Sequence, residues 1–181
     1  MSPLAGRRAV VAGALAAVAA SNFPLTSIAG AQTPEETAMP SRFAVYQSII
    51  QAWKRKDIDT VLSHMTDDIV WHYAAAISPP VLGHAGARKF METFGGKIAE
   101  VRWRVFDYAE SGDRLFVEGV DEYFTKEGVR VATPYAGVLD FRGDKISGWR
   151  DYFDAGVSAA MQAGGPASAE VEQLIARPAV S

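Results

Sequence analysis

Apolar residues recur along this chain with two different periods. From Ser41 the spacing is helical: Tyr46, Ile49, Ile50 and Trp53 fall at i, i+3, i+4 and i+7. That pattern predicts an amphipathic helix with Ser41 as its N-cap. Lys54-Arg55-Lys56 falls in the last turn, where cations suit the helix dipole. Asp57 is placed to cap a second, short helix with Val61, Leu62 and Met65 on its buried side. Ile69, Trp71 and Tyr73 then alternate, predicting a strand over 69–75 that Ser78-Pro79-Pro80 breaks. Residues 84–98 predict a third helix striped by Phe90, Met91 and Phe94. Beyond it the period is two, with strands expected over 101–108, 114–125, 129–141 and 145–154. Ser111-Gly112-Asp113, Lys126-Glu127-Gly128 and Arg142-Gly143-Asp144 separate them. Short glycine turns between long strands predict antiparallel hairpins. A short helix is expected from Ala155, and Gly164-Gly165-Pro166 then opens a tail.

Helices followed by a run of antiparallel strands make an α+β pattern. Strands this long bury more than one row, so the sheet must curve or pack on something, and the early helices are the available cover. The expected architecture is a cone-shaped curved antiparallel sheet with N-terminal helices enclosing an apolar pocket. The domain is expected over 41–160, with a flexible leader over 32–40 and a flexible tail over 161–181.

The first residues follow a different logic. Arg7-Arg8 precedes an apolar run from Ala9 to Ala20, and Ala29-Gly30-Ala31 offers small residues for a cleavage site. The run is too short to span a bilayer and has the size of a signal-peptide core. Paired arginines before Ala9, Val10 and Val11 resemble a twin-arginine export signal, although Gly6 stands before them. Residues 1–31 are therefore expected to be a signal peptide, giving a periplasmic or secreted domain of about 150 residues. Removing Arg7 and Arg8 with no acid moves the formal charge from −3 to −5. An acidic domain argues against nucleic acid or an anionic membrane as a partner. The chain has no cysteine, which excludes disulfides, thiolate catalysis and cysteine-ligated metals.

Two strands carry an acid where the alternation calls for an apolar residue. In Gly148-Trp149-Arg150-Asp151-Tyr152-Phe153-Asp154, one face holds Trp149, Asp151 and Phe153. In the strand over 115–123, one face reads Leu115, Val117, Gly119, Asp121 and Tyr123. A carboxylate on an apolar face must be paired or must shift its pKa. Two of them suggest a catalytic cavity.

This order of elements, ending in Asp144-Lys145-Ile146-Ser147-Gly148-Trp149-Arg150-Asp151-Tyr152-Phe153-Asp154, resembles the nuclear-transport-factor-2-like (SnoaL-like) superfamily. The final strand is most similar to the limonene-1,2-epoxide hydrolase group. The resemblance spans roughly Ser41 to Ala155 and implies the cone-shaped fold. It implies Asp151 as the base that takes a proton from an attacking water, and Asp121 as the acid that protonates the epoxide oxygen. The arginine that bridges these acids in that group would fall at Gly119, which is expected to leave empty volume. The tyrosine and asparagine that hold the water there fall at Trp71 and Tyr73. The acids therefore match, while the bridging cation and the water-holding pair do not. Without that cation, one carboxyl of a close pair must hold a proton and the two titrate as a unit.

The expected function is cofactor-independent acid–base chemistry on a hydrophobic or aromatic small molecule. Asp151, Asp121 and Tyr73 are the catalytic candidates, and Trp71, Trp149, Phe153, Tyr135 and Tyr123 the substrate-binding ones. Epoxide hydrolysis is the most specific form. An isomerase, cyclase or lyase that shuttles protons through the same acids is the alternative, and a non-catalytic small-molecule binding protein is a third. Three scattered histidines give no metal-binding spacing, and there is no phosphate loop or nucleophile elbow. No metal, cofactor or membrane contact after signal cleavage is expected. The mixed row Phe116, Glu118, Val120, Glu122 and Phe124 fits a sheet face used for a homodimer contact.

Overall fold

The computed structural model describes residues 40–181. The expected signal peptide over 1–31, and all of the leader over 32–40 except Pro40, lie outside the described residues. Helix α1 spans Arg42–Lys54 and α2 spans Ile58–Ser63. Ser41 caps α1 by accepting from the Ala44 N–H, and Asp57 caps α2 by accepting from the Thr60 N–H. Both caps fall where the sequence placed them. Strand β1 runs Met65–His72, β2 is the pair Val81–Leu82, and α3 spans Gly83–Gly95. Strands β3 (Ile98–Val101), β4 (Arg104–Ser111), β5 (Arg114–Thr125), β6 (Arg130–Arg142) and β7 (Lys145–Phe153) complete the sheet. Helices α4 (Ala155–Gln162) and α5 (Ala169–Ile175) follow it.

The sheet order is β2-β1-β7-β6-β5-β3, with β4 also paired to β5. The hairpins β4–β5, β5–β6 and β6–β7 are antiparallel, whereas β1 joins β7 in parallel. The hairpin turns need a left-handed residue, and Gly112, Gly128 and Gly143 supply it with positive φ. The long strand β5 is shared: β4 pairs with its first part and β3 with its end. The expected single strand over 101–108 is thus two strands, broken at Arg102-Trp103. The first strand begins at Met65, earlier than expected, and ends before Tyr73. Both shifts have one cause: pairing partners decide where a strand stops, and these partners are remote in sequence.

Helix α1 supplies Tyr46, Ile49, Ile50 and Trp53 to the core, all buried, against Leu115, Leu139, Ile146 and Trp149 of the sheet. The architecture is α+β, a curved sheet with helices packed on it, as the pattern predicted.

Residues 161–181 do not form the expected flexible tail. They continue α4, then form α5, which buries Val171 and Ile175. Arg104 donates to the Ile175 carbonyl, the Val180 N–H donates to the Val105 carbonyl, and Arg177 pairs with Glu118 at 2.7 Å. Glu118 and Glu122 point away from the row that holds Asp121, so this segment lies on the outer side of the sheet. Val171, Leu174 and Ile175 do fall at i, i+3 and i+4, but a single such triplet in seven residues is too short a signal to tell a packed helix from a turn within a tail.

Candidate active site

A cavity of ≈ 230 Å³ opens between the curved sheet and helices α1, α3 and α4. All eight residues singled out by sequence line it: Asp151, Asp121, Tyr73, Trp71, Trp149, Phe153, Tyr135 and Tyr123. Strand alternation explains the grouping. Trp149, Asp151 and Phe153 come from one face of β7, Asp121 and Tyr123 from one face of β5, and Thr133 and Tyr135 from β6. Tyr73 enters from just beyond β1, its ring stacked on Phe90 at 4.4 Å.

Aromatic rings form the walls. Trp149 lies between Trp71 and Trp103, with centroids 5.3 and 5.9 Å away and near-parallel planes. Phe90, Phe94 and Tyr123 continue the lining. Such a surface offers apolar area and ring faces for contact.

The two acids are the exception to this lining. Among the described residues Asp121 has no hydrogen-bonding partner, and burial pushes its carboxyl up to about 6. Asp151 is pushed up to about 7, first by burial. The Trp149 indole N–H opposes that shift by donating to Oδ1 at 2.8 Å, and the charge of Asp121 adds to it. The Trp71 N–H also favours the Asp151 carboxylate electrostatically, yet closes no hydrogen bond and stays buried without a partner. Between about pH 6 and 7 the pair therefore shares one proton.

Among the described residues, no arginine lines the cavity. Arg104 pairs with Glu122, Arg102 with Glu100, and Arg150 with Asp140, so none bridges the acids. Nor does Gly119 leave the empty volume expected of it. A Cβ there would stand 2.3 Å from the Arg104 carbonyl and 3.0 Å from the Tyr135 ring. Tyr135 pairs across the strands with Gly119 and lies over it, so the space is filled from β6. Its hydroxyl accepts from the Trp103 indole N–H at 2.7 Å and meets the Tyr46 hydroxyl at 2.9 Å.

Sequence reasoning missed several lining residues. Trp103 sits in the break between β3 and β4, Thr133 lies opposite Asp121, and Ser158 and Gln162 come from α4. Only Thr133 carried a signal, as a polar residue on the cavity-facing row of β6. Among the described residues, no three His, Cys, Asp or Glu side chains converge as metal ligands would.

Residues 46–149, more than half of the chain, match the sequence model of the SnoaL-like domain. No match is found among curated proteins. An M. tuberculosis epoxide hydrolase of the limonene-epoxide-hydrolase-like kind superposes with a TM-score of 0.60 at 21% identity, covering 68% of this chain and 90% of that one. TerC, crystallised with polyporic acid, gives a TM-score of 0.59 at 21% identity, covering 66% and 96%. A SnoaL-like polyketide cyclase candidate from Shewanella denitrificans OS-217 gives 0.63 at 13% identity, covering 69% and 98%. At such identities the likeness establishes the fold.

Proposed function

Since the chain belongs to the SnoaL-like domain family, within the nuclear-transport-factor-2-like superfamily, we propose that it is an enzyme that moves protons on a hydrophobic, aromatic small molecule with Asp151 and Asp121. One observation carries this reading: two carboxyls, both raised to about 6–7 by burial, face one aromatic cavity with no cation between them. A pair holding one proton offers an acid and a base at neutral pH. The ionised carboxyl of the pair accepts a proton from the substrate, and the protonated one gives its own to a substrate oxygen. The net step is an isomerisation, cyclisation or elimination that consumes no proton.

Epoxide hydrolysis is the second reading. It is favoured by the Trp149-Arg150-Asp151-Tyr152-Phe153-Asp154 strand and by the likeness to the epoxide hydrolase fold. In that case the ionised carboxyl of the pair deprotonates water and the protonated one protonates the opening oxygen.

Turnover of a panel of aromatic epoxides in ¹⁸O-water separates the two. Labelled diol supports hydrolysis. Exchange of an acidic C–H for deuterium in D₂O, on aromatic ketones of matching size, supports proton transfer. Asp151→Asn abolishes either activity at unchanged fold; full activity in that variant removes one half of the acid–base pair and with it both readings.

We propose too that the protein is exported and forms a homodimer, though not through the expected outer row of β5, where the C-terminal segment engages Glu118 directly and Glu122 through Arg130. Export is checked by N-terminal sequencing of material from the periplasm or medium, where a start at Gln32 is expected. Sedimentation equilibrium checks the dimer, and a monomer at micromolar concentration would remove it.

A further inference from the structure

Beside the acids, the cavity wall contains a hydrogen bond that the protein does not use. Three donors meet at the Tyr135 hydroxyl: the Trp103 indole N–H, the Tyr46 O–H and the Tyr135 O–H itself. Only two hydrogen bonds are made among them, at 2.7 and 2.9 Å. An indole nitrogen can only donate, so the Trp103 hydrogen goes to the Tyr135 oxygen. The second bond takes one hydroxyl hydrogen, and one is left over.

The direction of the tyrosine pair decides where that hydrogen lies. If Tyr135 donates to Tyr46, the spare hydrogen sits on Tyr46, which is 0% exposed and has no further partner. A buried donor left unpaired costs about 1–3 kcal/mol. Tyr46 is also absent from the cavity lining, so no ligand relieves that cost. If Tyr46 donates to Tyr135, the spare hydrogen belongs to the residue that lines the cavity. The Tyr135 oxygen then accepts twice and donates once, which completes its capacity. Two donors into that oxygen polarise the O–H and strengthen the bond it can give.

We infer that Tyr135 is a substrate-contacting hydrogen-bond donor, aimed at a carbonyl, epoxide or phenolate oxygen of the bound molecule and held by Tyr46 and Trp103. It stands over Gly119, with ring and hydroxyl atoms 3.0 and 3.1 Å from where a Cβ would lie, so a neutral phenol fills that space. A neutral donor stabilises charge growing on a substrate oxygen without pulling both carboxyls into their ionised forms. The ligand class follows: a flat aromatic molecule carrying an oxygen acceptor. The inference rests on the reading of this cavity as the reactive site.

Binding of two matched probes tests it without turnover. 1-Indanone and indane share size and shape and differ by one carbonyl oxygen. At about pH 8.5 both carboxyls are ionised, since they titrate at about 6 and about 7, and neither can donate. The wild-type protein should then prefer the ketone by about fivefold to tenfold, the worth of one hydrogen bond. Tyr135→Phe should erase that preference while binding indane within about twofold of wild type. Tyr46→Phe should keep it, because the Tyr135 hydrogen remains. An undiminished preference in Tyr135→Phe, its absence in wild type, or its loss in Tyr46→Phe overturns the assignment.

Should Tyr135→Phe not fold, the infrared carbonyl stretch of bound 1-indanone answers instead. It should lie below its value in cyclohexane in both the wild type and Tyr46→Phe; an unshifted band in either overturns the assignment. Because no turnover is read, failure of the proton-transfer proposal would leave this result standing, and the reverse also holds.

Discussion

Asp121 and Asp151 show how a single side chain ties chemistry to stability. Their carboxyls titrate near 3.8 when unfolded and at about 6 and about 7 when folded. The folded state therefore holds protons that the unfolded state has lost. The pair's contribution to stability is full below about pH 4 and falls as the pH rises through about 7, each pK unit costing about 1.4 kcal/mol. Asp151→Asn removes that dependence at one site. Its melting temperature relative to wild type should climb between about pH 4 and pH 7 and then level off, read by thermal unfolding across that range. A constant difference would mean that Asp151 is already ionised in the fold. Activity should follow a bell with limbs near 6 and 7, because only the singly protonated pair has both an acid and a base. Gly119→Ala belongs to the same scale. Its new methyl would meet the Arg104 carbonyl at 2.3 Å, so backbone must move. A loss of about 2 kcal/mol or more is expected in urea unfolding, as for an overpacked core. The acids were legible because alternation exposes a charge on an apolar row. The crowding at Gly119 was not, since a glycine reads equally well as space or as contact.

At the scale of elements, α5 departs most from expectation. Glu122, only 4% exposed, is held at 2.8 Å by both Arg104 and Arg130, and Arg130 reaches on to Glu172 of the helix at 2.7 Å. A buried carboxylate with two cations cannot lose one cheaply. The helix also covers apolar surface through Val171 and Ile175. Ile175→Ala should destabilise the whole domain by about 2–3 kcal/mol, the cost of a truncated buried aliphatic, with a single cooperative transition in urea. A change below about 0.5 kcal/mol would show that the helix is not held to the sheet in solution. The hairpins, by contrast, were readable to within a few residues. Their turns require left-handed glycines, and their rows alternate cleanly because one face meets the core. The split between β3 and β4 was not readable, since both lean on β5 and neither boundary is marked by local chemistry.

For the whole molecule, the pattern of apolar positions determined the order of elements, the α+β class and the faces that turn inward. Alternation is a local consequence of backbone geometry, so it survives in one dimension. It also determined that two acids share an apolar environment, because each sits on its own strand's inward row. Only the tertiary structure decided that these rows converge on one cavity, since that depends on the pairing of β5, β6 and β7 and on the curvature of the sheet. It decided too that Tyr46 of α1 and Trp103 of the β3–β4 break meet on Tyr135 of β6. Hydrogen bonds between residues 89 and 32 positions apart leave no periodic trace in the chain. They exist because packing α1 onto the sheet buries three polar groups together, and buried polar groups must find one another.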